Sequence, residues 1–342
     1  MPQPRAKDIW APAALAALLV SMCLSLGLGS ADVGPARAAE SFWKALSSGA
    51  ADSPSDRIVL EIRLPRTILA VLIGALLSLS GLIMQAFFRN VMAEPYLVGV
   101  SSGAALGAVL AMLLGWSFSI GWFSTVPLAA FVFAAGTVLL VYLINRRKSG
   151  LQTGGLLLSG IAIASAASAV VALLLVTSEH SIQQVLFWLL GSLAAARWEH
   201  VALVAPYAVL GLGITLALAR DLDLLLWGDL TGASLGVEVT RTRTWLLAAA
   251  SLMAAACVAV AGVIGFVGLM VPHIARSLTG AGHRRLIPLA MILGGLLLLW
   301  ADVLARTLSA PAELPLGAIT AIVGAPFLVY LCALSGRHRW LS

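Results

Sequence analysis

The stretch Gly262–Arg276, GVIGFVGLMVPHIAR, is the most informative part of this chain because it interrupts an almost wholly apolar sequence. It contains three glycines, a proline, a histidine and an arginine. Glycine and proline weaken or kink helices, and in a bilayer the backbone groups of a broken helix must be satisfied by protein or by water. The run therefore predicts a helix that packs inside a bundle or lines a water-accessible path. A span that faced lipid would gain nothing from such a break.

The composition predicts an all-α polytopic membrane protein. Of the 342 residues, 61% are hydrophobic and 11% are charged, and the mean hydropathy is +1.01. A soluble protein of this size cannot bury so much apolar surface. Each membrane span needs roughly 20 apolar residues. Residues 1–342 are expected to form a single transmembrane domain with ten spans: Trp10–Leu28, Leu64–Phe88, Tyr96–Trp116, Thr125–Ile144, Gly154–Val176, Val201–Ala219, Thr244–Gly262, Val263–Leu278, Leu286–Leu308 and Leu314–Leu334.

The distribution of basic residues predicts the orientation in the membrane. An even number of spans places both termini on one side, and that side carries twice as many lysines and arginines as the other. The bias places both termini in the cytoplasm. Arg5, Lys7 and the first apolar segment also allow a signal peptide cleaved near Ser30 or Ala39. Its apolar core is longer than a signal peptide needs, so we expect an uncleaved first span.

Three segments lie outside the spans. Gly29–Arg63 is expected to be an external loop with a short amphipathic piece at Ala39–Leu46, and Ile182–Leu190 is expected to be a short helix that does not cross the membrane. Residues 220–243 mix charges with apolar residues, which favours short helices at the cytoplasmic surface that offer a face to another protein. The alternative for this segment is a solvated loop.

Several smaller patterns carry alternatives. Gly99, Gly103 and Gly107 form a ridge of small residues on the third span, which predicts a close helix contact. Gly99–Gly103 also fits the nucleophile pattern G-x-S-x-G, although that pattern needs a preceding strand.

His273 lacks neighbours at metal-ligand spacing, so packing explains it better than a metal site does. Asp302 and Arg306, four residues apart, are expected to pair on one helix face, as a functional ion pair or as a salt bridge at the outer surface.

Five segments in order resemble the iron-siderophore and vitamin B12 permease family (FecCD-type) of type II ABC importers. The segments are RLPR at Arg63–Arg66, SGLIMQAFFRNVMAEPYLVGVSSGA at Ser80–Ala104, GFVGLMVPHIAR at Gly265–Arg276, LLWADVLAR at Leu298–Arg306 and ELPLGAITAIVGAPFLVYL at Glu313–Leu331. The resemblance covers nearly all of the chain after about Leu60. It implies the type II permease fold, a bacterial inner-membrane location, and a dimer of ten-span subunits, identical or pseudo-symmetric, around a central path. It also implies two cytoplasmic ATPase subunits and an external substrate-binding protein.

The resemblance assigns roles to three groups of residues. Outward-facing arginines in relatives pair with glutamates of the binding protein, and the matching residues are Arg63, Arg66 and Arg306. The cytoplasmic gate of relatives matches Asn90, Met92, Thr153 and Gly154, although Val91 stands where relatives often have proline. The ATPase-coupling helices match residues 220–243, with Gly228, Asp229, Ala233, Leu235 and Gly236 at the pattern positions. The sequence contains no G-x-x-x-x-G-K-[ST] run, so ATP and magnesium are expected to bind the partner ATPase, with no cofactor, metal or catalytic residue in this chain.

The sequence allows three functions. The first is a permease that moves a ferric siderophore, or the related chelates cobalamin or haem, into the cytoplasm. The second is an ion-coupled secondary transporter, which needs a carboxylate at membrane depth; Asp302 and Glu313 are its candidates. The third is an intramembrane hydrolase that uses Ser101 or Ser102 with His273. The sequence favours the importer permease, and it favours a ferric siderophore as cargo only because that cargo is frequent in the family.

Overall fold

The computed structural model describes residues 9–29, 33–48, 53–117, 119–120, 123–147, 150–151, 153–177 and 182–335. The basic residues Arg5 and Lys7 and the alternative cleavage position Ser30 lie outside these ranges. Within them the chain forms the following α-helices: α1 (Trp10–Gly27), α2 (Pro35–Ser48), α3 (Pro54–Arg57), α4 (Leu64–Phe88), α5 (Val100–Leu113), α6 (Thr125–Asn145), α7 (Thr153–Val176), α8 (Ile182–Leu189), α9 (Trp198–Ala217), α10 (Ala219–Leu225), α11 (Asp229–Ser234), α12 (Val239–Ala261), α13 (Val267–Thr279), α14 (His283–Thr307) and α15 (Leu316–Ser335).

Two further helical segments and two small hairpins complete the described structure. A π-helical segment, Ile58–Arg63, joins α3 to α4, and a 3₁₀ turn, Pro95–Val98, precedes α5. The strands have two residues each and pair antiparallel: β1 (Ser119–Ile120) with β2 (Phe123–Ser124), and β3 (Arg146–Arg147) with β4 (Gly150–Leu151). The prediction of an all-α membrane protein is therefore confirmed.

Every predicted span overlaps a helix, but not all of these helices have the length of a span. Seven helices in the described part of the chain are long and apolar enough to cross a membrane; one of them runs from Pro54 through α4 to Phe88. The apolar stretches Val100–Leu113 and Leu316–Leu331 are shorter, and α13 has only 13 residues. The third predicted span is shorter than expected because its first residues form the 3₁₀ turn before α5.

The long helices divide into a buried group and a peripheral group. In the helix that ends in α4, 83% of the most apolar 18 residues are buried. The corresponding shares in α12 and α14 are 72% and 61%. In α1, α6, α7 and α9 only 17–22% of these residues are buried. Because the exposed side chains of this second group are apolar, they suit contact with lipid or with another membrane helix. The helix α4 lies at the centre and packs against α9, α12, α13 and α14.

Small residues let α4 and its neighbours approach closely. A Cβ added at Gly74 would overlap the carbonyl oxygen of Gly294 in α14, and one at Gly81 would overlap that of Gly268 in α13. Close backbone contact of this kind is the usual basis of helix association in membranes. The predicted glycine ridge at Gly103 and Gly107 packs in the same way, against the backbone of α6.

The break predicted within Gly262–Arg276 lies at residues 262–266, between α12 and α13. Gly262 and Phe266 both have positive φ, at 69° and 68°, a conformation that is uncommon for a bulky residue such as Phe266. Protein groups satisfy the freed backbone: the Tyr96 hydroxyl donates to the Ile264 carbonyl oxygen at 2.9 Å. The first residues of α13 are buried. The run therefore contains a break, and the start of α13 packs inside the bundle, which is the first of the two alternatives that the sequence allowed.

The two ends of the bundle differ in what covers them. One end carries α2, which contains the predicted amphipathic piece, and we call it the α2 end. The other end carries α10 and α11, which confirm that residues 220–243 form short helices, and we call it the α11 end. The helix α4 runs from the first end to the second. The segment that was expected to be an external loop up to Arg63 is helical from Pro54 onward and continuous with α4.

Candidate functional site

A buried ion network joins α4 to α14 at the α2 end. Arg66 lies in the first turn of α4, and its Nη2 and Nε donate to Asp302 Oδ1 at 2.9 and 3.0 Å. Its Nη1 donates to Glu313 Oε1 at 2.8 Å. Arg66 and Asp302 have side chains that are 7% and 1% exposed, whereas Glu313 is 31% exposed. Two carboxylates therefore hold one guanidinium, in the bidentate manner that arginine favours.

Two more arginines complete the network. Arg306 Nε lies 3.6 Å from Asp302 Oδ2, so the predicted i,i+4 pair is confirmed. Its Nη2 donates to the carbonyl oxygen of Ser25 near the end of α1 at 3.0 Å. Arg63 Nη1 donates to the carbonyl oxygen of Leu26 at 2.7 Å. The arginines thus bind the last turn of α1 to α4 and α14.

This placement corrects one sequence expectation. The three arginines were expected to face outward, but Arg63, Arg66 and Arg306 are 4%, 6% and 3% exposed. The expectation was wrong because the arginines fill a junction between helices, where carbonyl and carboxylate oxygens accept their hydrogen bonds. The reading of Asp302 as one half of a surface salt bridge is wrong for the same reason. The docking role itself stays a prediction, since no binding protein is present.

The residues predicted to couple to an ATPase lie at the α11 end. Gly228 and Gly236 precede and follow α11 and have positive φ, at 109° and 88°, which favours glycine. Ala233, Leu235 and Gly236 are exposed. The largest exposed apolar side chains here are Trp227, Leu230 and Leu235, at 79%, 86% and 53%. Together we call these last three the α11 apolar face.

The predicted gate residues lie at the same end. Asn90 follows α4, and its side-chain oxygen accepts the backbone N–H of Met92 at 2.9 Å. This Asx turn closes the loop without the proline that relatives often have at the position of Val91. Thr153 begins α7, and Gly154 is exposed. The structure therefore brings the two predicted gate segments and the predicted coupling segment to one end of the bundle.

Arg243 joins these segments, although sequence reasoning treated it only as a topology marker. It lies in α12 and is 2% exposed. Its Nη2 donates to Asp229 Oδ1 at 2.7 Å and its Nη1 to Thr153 Oγ1 at 2.9 Å. Its guanidinium carbon lies 5.1 Å from the centre of the Phe87 ring, in the last turn of α4.

A second contact fixes α10 to the start of α14. His283 is fully buried, and its Nδ1 lies 2.6 Å from Asp223 Oδ1. The same carboxylate oxygen accepts the backbone N–H of His283 at 3.1 Å. Asp223 thus satisfies a backbone donor in the first turn of α14, as a capping side chain does.

Glu94 lies in the loop between α4 and α5 and binds the break before α13. Its carboxylate accepts the backbone N–H of Phe266. Burial raises the pKa of the Glu94 carboxyl, and this hydrogen bond opposes the rise. The sequence did not single out Glu94, because its partner is a backbone group far along the chain.

The hydrolase alternative finds no support in the local geometry. The G-x-S-x-G run follows a 3₁₀ turn and opens α5, without the strand that a nucleophile elbow requires. The Ser102 hydroxyl donates to the carbonyl oxygen of Gly99 at 3.0 Å. The His273 ring packs edge-on against Phe327, with centroids 6.0 Å apart. These contacts suit capping and packing.

Comparison with known proteins gives consistent matches along most of the chain. Residues 17–333 match the model of the FecCD transport family. The chain is 45% identical over 274 residues to the cobalamin import system permease protein BtuC of Halobacterium salinarum, covering 80% of this chain and 73% of that protein. It is 38% identical to the hemin transport system permease protein HmuU of Yersinia pestis, covering 96% and 98%.

A solved structure shares the fold. It is described as an inward-facing conformation of a metal-chelate type ABC transporter. The match has a TM-score of 0.81 and 32% sequence identity, and it covers 94% of this chain and 98% of that one.

Proposed function

We propose that this chain, which belongs to the FecCD transport family, is the membrane permease through which an ABC importer carries a ferric siderophore into the cell. The family makes it a permease of the importers for metal chelates, which include siderophores, vitamin B12 and haem. The choice of a ferric siderophore, the partners and the orientation in the membrane are parts of the proposal.

The observation that carries the proposal is the α11 apolar face. Leu230 lies in α11, and Trp227 and Leu235 lie in the turns before and after it, in a segment of the chain that also carries charged residues. Large apolar side chains that are exposed together at a polar surface indicate a protein contact. An ATPase subunit that covers this face would satisfy it. ATP and magnesium would then bind that subunit, because this chain has no P-loop.

The geometry at the α11 end suits a mechanism in which the ATPase moves the coupling helices. A shift of α10 is passed to α14 through Asp223 and His283, and both helices contact α4, whose last turn precedes the predicted gate residue Asn90. Movement of rigid helices in this way switches a path between outward-open and inward-open states. In the proposal, two copies of the permease, or this chain and a related one, form that path between them, and the α11 end faces the cytoplasm.

The buried arginines at the α2 end suit an indirect role in docking a binding protein. Arg66 and Arg306 both pair with Asp302, and Arg66 also binds Glu313, so buried ion pairs join α4 to α14 close to the outer rim. The network also fixes the ends of α1, α4 and α14 that form the rim.

An ion-coupled transporter is a weaker proposal. Asp302 is the fully buried carboxylate that such a transporter would use, but Arg66 and Arg306 hold it in an ion pair. A coupling carboxylate must release and bind its ion during transport. A carboxylate committed to two buried arginines suits a structural role better.

The cargo is tested by uptake into cells that lack this gene, with the gene restored on a plasmid. The probes are a radiolabelled ferric hydroxamate, ferric citrate, haemin and cobalamin. We expect the restored cells to take up a ferric chelate at least tenfold faster than the empty-vector cells, and cobalamin no faster. Cobalamin uptake alone would contradict the siderophore assignment and favour cobalamin as the cargo. The 45% identity to a cobalamin permease supports that alternative.

A further inference from the structure

Arg243 is the point where three segments of the α11 end meet. Its guanidinium contacts Asp229 in α11, Thr153 at the start of α7 and the Phe87 ring at the end of α4. The contacts with Asp229 and Thr153 span 14 and 90 residues of sequence. Arg243 itself lies in α12, so four helices share one side chain.

We propose that Arg243 is the positioning residue that transmits movement of the coupling helix α11 to the gate at the start of α7. The inference rests on the proposed function, because it assumes that an ATPase moves α11. Arg243 binds no cargo and no nucleotide in this proposal; it acts through Asp229 and Thr153.

Because Arg243 is buried, it must move together with Asp229. The side chains of Arg243 and Asp229 are 2% and 42% exposed, so the carboxylate can reach water but the guanidinium cannot. If α11 moved away alone, it would leave a buried cation without its counter-charge, and such a state is strongly disfavoured. Arg243 must therefore follow Asp229. The competing pair of Asp229 with Arg89 is longer, at 3.7 Å, and exposed, so it holds α11 less firmly.

The second half of the link is the hydrogen bond to Thr153. A buried arginine that served only to neutralise Asp229 would need no partner on α7. The rigid fork of the guanidinium instead holds the carboxylate with Nη2 and the hydroxyl with Nη1 at the same time. The Phe87 ring stacks beside it and limits its other movements. A displacement of Asp229 therefore moves Thr153, the first residue of α7, through the rigid guanidinium group of Arg243.

The test compares Thr153→Val with Thr153→Ser in the complete importer, reconstituted in proteoliposomes with its ATPase and binding protein. The probe is whichever of the four chelates named above the parent complex transports. Chelate uptake and ATP hydrolysis are measured in the same vesicles, and their ratio is the readout. Thr153→Val removes the acceptor of Arg243 Nη1 and retains the side-chain volume, whereas Thr153→Ser keeps the hydroxyl.

We expect the ratio of uptake to hydrolysis to fall at least fivefold in Thr153→Val and to be largely restored in Thr153→Ser. Thr177→Val is the matched control just after the other end of α7, where the hydroxyl donates to carbonyl oxygens of that helix; its ratio should equal that of the parent. Arg243→Lys, which keeps the charge but loses the fork, should behave like Thr153→Val.

Other outcomes would overturn the inference. An unchanged ratio in both Thr153→Val and Arg243→Lys would show that Arg243 does not transmit movement, even if uptake and hydrolysis fell together. In that case the proposed function would still stand, provided that the parent complex hydrolyses ATP and transports a chelate. A parent chain that binds no ATPase would refute the proposed function itself, and this inference with it.

Discussion

Asp302→Asn is expected to destabilise the folded permease by about 3–5 kcal/mol, because it removes the buried negative charge that Arg66 and Arg306 share. Asp302 is fully buried and holds Arg66 through two short hydrogen bonds, with Arg306 nearby. Asparagine keeps the shape of the side chain but removes its charge. The loss is measured in detergent as the temperature at which half of the protein leaves the monodisperse peak in size-exclusion chromatography.

Two variants distinguish charge from packing at this junction. Glu313→Gln should cost much less, because Glu313 is 31% exposed and water screens its contact with Arg66. The double replacement Asp302→Leu with Arg66→Met removes both members of the pair and should recover part of the loss. An Asp302→Asn protein as heat-stable as the parent would show that the network does not hold the helix ends together.

Leu230→Asp is expected to release the ATPase and abolish uptake while the permease itself stays folded. Leu230 is 86% exposed and is the one residue of the α11 apolar face that lies within α11, so a charge there meets water in the free permease. In the complex the same charge would be buried at the interface. The loss of an interface anchor typically costs about 2–4 kcal/mol, which corresponds to a roughly 30-fold to 1,000-fold weaker affinity. Co-purification of the ATPase with a tagged permease measures the effect.

Leu230→Met is the matched control, because it retains the apolar volume and should retain the ATPase. The elution volume of the permease alone should be the same in both variants. If Leu230→Asp still bound the ATPase in the parent ratio, the α11 apolar face would not be the coupling surface.

The fold was largely predictable because apolar length is a strong signal in a membrane protein. The predicted span Leu64–Phe88 has the same bounds as α4, and the ends of α1, α6 and α7 differ from their predictions by one residue. Periodicity could not give the length of α5 or α13. The helix α5 begins after a 3₁₀ turn, and α13 begins after a stretch whose backbone is satisfied by a distant group, the Tyr96 hydroxyl on the Ile264 carbonyl oxygen.

The candidate site was predictable only where partners are close in sequence. The pair of Asp302 and Arg306 follows from helical spacing, and it was found. The bonds of Arg66 to Asp302 cross 236 residues, and no local pattern indicates them. Arg243 was missed for a related reason, since basic residues at the ends of spans serve as topology markers whether or not they are buried. Their burial depends on helix packing, which composition does not reveal.

The measurement that tests the central claim most directly is purification of the tagged chain in mild detergent from its native membranes, scored for co-purifying subunits and ATP hydrolysis. We predict one ATPase subunit for each permease subunit, with hydrolysis that vanadate inhibits. A single species without hydrolysis would contradict an ABC importer and favour an ion-coupled transporter, for which Asp302 and Glu313 would be the residues to replace first.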